Sequence, residues 1–494
     1  AHSALKNTEC PAQRRAFLRW GSPGRMRPLA SDPASRYQPP MARPPQEKRT
    51  EAAGWQSRLA AAELLHHTLD KGLDLEAAMD ASRMFRRLEG PDRGFARAIA
   101  GAALRGIGRI DYALGGMVQR PMADMEPEVR AILCAGAAQL WMLGVADHAA
   151  VSASVEAAGK WHEARRGGGL VNAVLRRAAR EAEAFHTAPP TSVWPEWMAA
   201  KLKSALGPER ADAMGRLQLE EPPIDITLKP GADPAAWAEK LGGSVLPSGS
   251  VRLASGAGLA DLPGYADGAW WVQDAAAALP AKLIGDISGK RVADLCAAPG
   301  GKAMQLAAAG AKLTAVEVSR QRIARLRENA ERARLPMNIV EHDARTWRPS
   351  ELLDAVLLDA PCSALGILRR HPEGAWRRDP KDMARFPATQ AQLVEAAADM
   401  LRPGGRLIYS VCTPTPEEGR DIVEAALATG SWRRVKITPE EIPGFEVALT
   451  DDGDVITAPT PDSLPRVAAA SLAAESASEP MKSDIFYIAR LERA

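Results

Sequence analysis

From Val292 onward the chain alternates short apolar runs with helical segments, and each apolar run leads into an acid or a cysteine. This alternation constrains the fold more than any other feature. Strands separated by helices pair in parallel, in a sheet covered on both faces. The runs are Val292 to Leu295, Lys312 to Val316, Asn338 to Val340, Ala355 to Leu358 and Arg406 to Val411. The intervening helical segments include Arg320 to Arg334 and Gln390 to Leu401. Glu317, Asp343, Asp359 and Cys412 follow successive runs, and Asp294 ends the first. Sheets of this kind bind ligands beyond the carboxyl ends of their strands, so these side chains should face one pocket.

The first run opens into Cys296, Ala297, Ala298, Pro299, Gly300, Gly301 and Lys302, ahead of an Ala-rich helix. A strand, a Gly-rich turn and a helix N-terminus make a nucleotide-type site, because glycine lets a ligand approach the backbone. A phosphate-gripping P-loop would need Gly at Cys296 and Ser or Thr at Ala303. The dinucleotide fingerprint is broken at Ala298. What remains suits a nucleoside without a pyrophosphate. Glu317, about 20 residues on at the end of the second strand, is placed to accept both ribose hydroxyls.

Cys362 and Cys412 follow the fourth and fifth strands, so two thiols should share the pocket. A favoured thiolate is a good nucleophile. No Cys-x-x-Cys spacing occurs and the histidines do not cluster, so no metal site is expected. The residues alone do not say which thiol attacks.

Three runs carry a resemblance. They are Cys296 to Lys302; Asp359-Ala-Pro-Cys362-Ser-Ala-Leu-Gly366 with Arg369, Arg370, His371 and Pro372 behind it; and Tyr409-Ser-Val-Cys412-Thr with Pro416-Glu-Glu418. In order and spacing they resemble the RNA 5-methylcytosine methyltransferases of the NOL1/NOP2/Sun family. The resemblance implies S-adenosylmethionine as cofactor and a covalent mechanism in which Cys412 adds to C6 of cytosine. It implies that Cys362 assists release of the methylated RNA and that Asp359 contacts the ring edge and lines the cofactor site. It assigns Cys296 to Lys302 to the cofactor, Glu317 to its ribose and Asp343 to its adenine. Two departures stand out: Val411 and Thr413 flank the nucleophile where the family has Thr and Ser, and Glu373-Gly-Ala-Trp376 replaces Asp-Ile-Lys/Arg-Trp. Arg369, Arg370, Arg377, Arg378 and Lys381 concentrate basic charge beside this loop and are expected to position phosphate.

Upstream, residues 51–187 read as helical throughout. Asp92-Arg-Gly-Phe95, His148-Ala-Ala-Val151 and Gly169-Leu-Val-Asn172-Ala-Val-Leu-Arg176-Arg177 resemble the NusB-like RNA-binding domain. Asn172 is expected to cap or cross-link helices, and Arg165, Arg166, Arg176, Arg177 and Arg180 are candidates to meet phosphate. Residues 188–268 read as a bridging α+β subdomain, with a helix ending at Gly207-Pro208 and a strand at Ile224 to Leu228. In the usual Arg-Val-Asn position after Pro222-Pro223 stands Thr227-Leu-Lys229. Trp270-Trp271-Val-Gln273-Asp274 matches the family's entry to the catalytic domain, 269–494, whose sheet the run Asp484 to Arg490 should close.

The expected fold class is multidomain: an all-α NusB-like domain, the α+β bridge and an α/β Rossmann-like methyltransferase domain. A NusB-like domain ahead of a methyltransferase domain is the arrangement of the family's bacterial branch acting on 16S ribosomal RNA. The alternatives are the same chemistry on tRNA, or a non-catalytic RNA-binding assembly factor. Residues 1–50 read as a disordered extension, with Met41 resembling a natural start, and residues 468–479 as a loose loop. No run of 18 apolar residues occurs, so no membrane span is expected. Five scattered cysteines fit free thiols in a reducing cytoplasm. A net charge of +2 leaves RNA binding to local basic patches, and the chain is expected to act as a monomer.

Overall fold

The computed structural model describes residues 54–254, 258–459 and 482–494. The extension 1–50 and the loop 468–479 read from the sequence lie outside these residues. The first part, from Gly54 to Gln218, is helical. Its long helix, Gly90–Gly115, begins with Pro91 in the first turn, where a missing N–H costs nothing. Gly108 in that helix lets the turn Pro190–Val193 cross closely; a Cβ there would lie 2.4 Å from the Ser192 carbonyl oxygen. Helix Gly168–Arg180 buries Val171, Val174, Leu175 and Ala178, which recur at helical spacing, and carries Arg176 and Arg180 on its exposed side. Asn172 does not join two helices: it accepts from Arg176 Nε at 2.9 Å, one turn on in the same helix.

Helix Glu196–Leu206 ends at Gly207, as the sequence indicates, but a second helix, Pro208–Gln218, starts at once. Gly207 at φ +80° turns the chain, and Pro208 is the first residue of the new helix rather than a stop.

A four-stranded antiparallel sheet follows, in the order β2-β3-β1-β4, formed by β1 (Ile224–Leu228), β2 (Gly243–Val245), β3 (Val251–Leu253) and β4 (Trp270–Val272). The Trp270–Trp271 run therefore closes the bridge's sheet rather than opening the next domain. Both indoles are buried, Trp270 beneath Tyr265 and Trp271 donating to Gln273 Oε1 at 2.9 Å. Removing either should cost about 3–5 kcal/mol.

The large sheet comprises β5 (Arg291–Leu295), β6 (Lys312–Glu317), β7 (Asn338–Glu341), β8 (Leu353–Asp359), β9 (Leu401–Val411), β10 (Trp432–Arg434), β11 (Val455–Ile456) and β12 (Tyr487–Arg493). Its order is β10-β12-β9-β8-β5-β6-β7, with β11 beside β12. Strands β5 to β9 are parallel, and β12 lies antiparallel between β9 and β10. β9 starts five residues earlier than its apolar run, and Pro403-Gly-Gly405 forces a register shift opposite Leu353 and Ala355. The chain leaves β5 toward β6 and β7, then returns to β8 on the other side. That reversal opens a crevice above β5 and β8, where the Gly-rich turn and the Asp359–Cys362 loop emerge.

Candidate active site

The turn after β5 owes its shape to the backbone. Cys296 takes φ +63°, the Ala298–Pro299 peptide is cis, and Gly300 takes φ +112°. A Cβ on Gly300 would lie 2.6 Å from Leu326 Cδ1, so glycine is required there by both conformation and space. One main-chain and one side-chain bond brace the turn: Ala297 N donates to Val316 O at 3.1 Å and Asn329 Nδ2 to Pro299 O at 3.0 Å. Arg322 donates to Ala298 O.

A cavity of about 470 Å³ lies against this turn. Cys296, Ala297, Ala298, Pro299, Gly301, Lys302 and Asp359 line it, together with Gln273, Asp274, Asp294, Arg370, His371 and Asp484. Lys302 Nζ donates to Asp359 Oδ2 at 2.8 Å and sits 4.9 Å over the Phe486 ring. Burial works against the Lys302 ammonium, but Asp359 beside it prevails and raises its pKa. Ser410 Oγ donates to the other oxygen, Asp359 Oδ1, at 3.0 Å.

Asp294 is 1 % exposed, and neither of its carboxylate oxygens has a hydrogen-bond partner among the described residues. Burial, then Asp359, pushes its pKa well above the ordinary carboxylate range. Burial, then Glu317, pushes the Cys296 thiol up to about 12, so at neutral pH Cys296 is an un-ionised wall rather than a nucleophile.

The two ribose- and adenine-assigned acids sit outside the lining of this cavity. Glu317, almost fully buried, accepts from Val318 N and Ser319 N at 3.0 Å each and pairs with Arg322 at 3.1 Å. Asp343 pairs with Arg345 at 2.6 Å, and that bond holds its pKa below the ordinary carboxylate value.

Cys362 and Cys412 meet. Their sulfurs are 3.4 Å apart, one on each neighbouring loop. The contact with Cys412, then burial, pushes the Cys362 thiol well above its ordinary pKa. The loops are laced together: Ser363 Oγ donates to Thr413 Oγ1 at 3.0 Å, and Gly366 N to Cys412 O at 2.9 Å. Thr413 thus supplies the hydroxyl for this tie.

The basic stretch divides. Arg369 is buried and donates to Lys482 O at 2.8 Å. Arg370 spans Asp274 at 2.6 Å and Asp484 at 2.7 Å, and donates to Pro223 O at 3.1 Å. It ties the bridge to the catalytic sheet. A guanidinium already shared between two buried carboxylates is not free to hold phosphate. Arg378 is partly buried, while Arg377 and Lys381 are exposed.

The sequence places Asp294 at a strand end facing the pocket without assigning it a role, and it does not reveal Asp274, Arg370 and Asp484 in the cavity wall. An acid inside an apolar strand was the available signal for Asp294. The Arg370 cluster joins residues more than 90 apart in sequence and left no local signal.

Two family profiles match the chain: 16S rRNA methyltransferase RsmB/F over residues 284–492, and the NusB family over residues 55–180. Ribosomal RNA small subunit methyltransferase B of Xanthomonas campestris pv. campestris is 36% identical over 394 residues, covering 76% of this chain and 89% of that protein. The protein of the same name from Pseudomonas putida is 34% identical over 394 residues, covering 75% and 88%. Among solved structures, PH0851 superposes with a TM-score of 0.68 at 21% identity, over 88% of this chain and 99% of its own, which establishes the shared fold. No helix among the described residues is long and apolar enough to cross a membrane.

Proposed function

The chain belongs to the RsmB/F family of 16S rRNA methyltransferases, and from that premise we propose that it methylates C5 of a cytosine in 16S ribosomal RNA through a covalent bond between Cys412 and C6. The observation that carries this reading is the pair of thiols 3.4 Å apart, one loop away from the Lys302–Asp359 pair. Acyl or phosphoryl transfer would have no use for two adjoining sulfurs.

S-adenosylmethionine is the methyl donor of this family, and the residues present fit it. The turn Cys296–Lys302 carries neither the P-loop nor the dinucleotide pattern, Gly301 presents its backbone to the cavity, and Asp294 in the cavity wall has two unpartnered carboxyl oxygens to offer a ligand. When bound, the cofactor supplies a methyl group on a sulfonium. Glu317 would hold its ribose and Asp343 its adenine. Asp343, half-buried, would do so from outside the cavity lining.

Cytosine C5 is a poor nucleophile. When the Cys412 sulfur bonds to C6, the C5–C6 π electrons shift onto C5, which can then take the methyl. Asp359 meets the ring edge, oriented by Lys302 and Ser410. A base removes the C5 proton, the electrons of that bond re-form C5=C6, and the Cys412 thiolate leaves. Cys362, whose raised pKa keeps it a thiol, can donate an S–H hydrogen bond to the departing Cys412 sulfur 3.4 Å away and so stabilise it as a leaving group. Arg377 and Lys381 position RNA phosphates, and the reaction proceeds in the cytoplasm with the chain as a monomer.

The test is transfer of label from methyl-labelled S-adenosylmethionine to unmodified small-subunit rRNA, with nucleoside analysis. Label in 5-methylcytidine is expected. Label at another nucleoside overturns the chemistry, and label in tRNA alone overturns the substrate.

A further inference from the structure

Glu418 is 2 % exposed, yet among the described residues no cation pairs with its carboxylate. A buried polar group is costly to leave without hydrogen-bond partners. Here each oxygen is engaged by a neutral donor, and the donors come from the two cysteine loops and the helix behind them. Ser363 N, next to Cys362, donates to Oε2 at 2.8 Å. Gln390 Nε2 donates to the same oxygen at 3.2 Å. Thr415 Oγ1, three residues past Cys412, donates to Oε1 at 3.1 Å. The Tyr409 hydroxyl, at the end of β9, donates to the main-chain carbonyl of Glu418 at 2.5 Å.

Resting on the function proposed above, we infer that Glu418 is a positioning residue: its carboxylate bolts the Cys362 loop to the Cys412 loop and so sets the separation of the two sulfurs that product release requires. No other carboxylate among the described residues accepts from both loops. Two other ties join the loops: a bond between the rotatable hydroxyls of Ser363 and Thr413, and a main-chain bond from Gly366, four residues past Cys362, to the Cys412 carbonyl, so Glu418 is the tie that grips the residue next to Cys362 by its main chain. Glutamine has the shape to substitute. Its oxygen can accept from Ser363 and Gln390, and its amide can donate to Thr415 with the hydroxyl turned round. Alanine keeps none of the three bonds.

The experiment compares Glu418→Gln, Glu418→Ala and Thr415→Val with the unaltered protein by two readouts. One is the ratio of covalent protein–RNA adduct to methylated product per turnover, read on denaturing gels. The other, taken without RNA, is the rate at which diamide couples Cys362 to Cys412, read by mass spectrometry. Diamide accepts the two electrons and two protons released as the disulfide forms. In Glu418→Ala the coupling should slow, and the adduct-to-product ratio rise, by about tenfold each, since a misplacement near 1 Å can cost up to about 10²-fold. Glu418→Gln should stay within about threefold of the unaltered protein on both, as bond count predicts. Thr415→Val should shift both in the direction of Glu418→Ala by a smaller factor, which keeps the test decisive if the alanine variant does not fold. A purely structural role would lower total turnover and leave the ratio unchanged. An unchanged ratio and coupling rate in Thr415→Val and in any folded Glu418→Ala overturn the inference. If the unaltered protein gives neither product nor adduct, the functional reading fails, while the coupling rate still decides how Glu418 holds the loops.

Discussion

The cofactor turn and the cysteine loops stand side by side on one sheet and are built on opposite principles. The turn Cys296–Lys302 takes its shape chiefly from its backbone, with a positive φ at Cys296 and Gly300, a main-chain bond from Ala297 to β6 and a helix starting at Gly301, while Asn329 and Arg322 hold its carbonyls from outside. The cysteine loops are gathered round one side chain, the buried Glu418 carboxylate, on which the Ser363 main-chain N–H and the Gln390 and Thr415 side chains converge. The contrast suits the tasks. A binding cradle works best rigid, whereas two sulfurs that must make and break a bond need a separation that side chains can tune. Damage to the turn should therefore appear in cofactor affinity, and damage to the loops in the partition between adduct and product.

The largest effect sharpens the chemical side. Cys412→Ala should reduce methyl transfer by a factor on the order of 10⁴–10⁶, as loss of a nucleophile does, with cofactor affinity unchanged by calorimetry. Next, Cys362→Ala should complete the methylation step but stall afterwards, trapping a protein–RNA adduct visible on denaturing gels. An adduct in Cys412→Ala instead would exchange the two roles.

On the other side of the comparison, Gly300→Ala forces a side chain into φ +112° and onto Leu326. About 1–3 kcal/mol of local strain should weaken cofactor binding by about tenfold or more and leave the adduct-to-product ratio alone. A change in that ratio would break the separation of the two regions. The smallest effect belongs to the exposed rim. Arg377→Ala should weaken binding to all RNA sequences alike and lower the salt slope of the affinity by about 1, measured by filter binding across a salt series. Arg370→Ala should behave differently, costing stability rather than salt slope, because its charge is committed to Asp274 and Asp484.

What the sequence discloses follows the same division. Backbone-built features are local, so the strand, turn and helix from Val292 could be read directly, as could both thiols at the ends of neighbouring strands. Side-chain-built features join distant positions: Ser363 to Glu418, Asp274 to Arg370 and Asp484. Their composition looks like any polar surface, which is why Arg370 reads as a phosphate contact until its partners are known. Two departures from expectation have different causes, one local and one not. Gly207-Pro208 signals a stop and a start with the same two residues, and only the stop was read. Trp270–Trp271 has no marker of which sheet it joins, since its partner β1 lies over 40 residues back.

The place of β12 has a consequence for how the molecule is made. Tyr487 pairs with Val411, the residue before Cys412, and the strand inserts between β9 and β10. During synthesis the helical region and strands β5 to β9 emerge first and can begin to fold. The catalytic sheet, however, has a gap beside its cysteine loop until Arg493 has left the ribosome. A nascent chain can thus own every residue of its active site and still lack the strand that shapes it, so competence waits for β12 rather than for the cysteines.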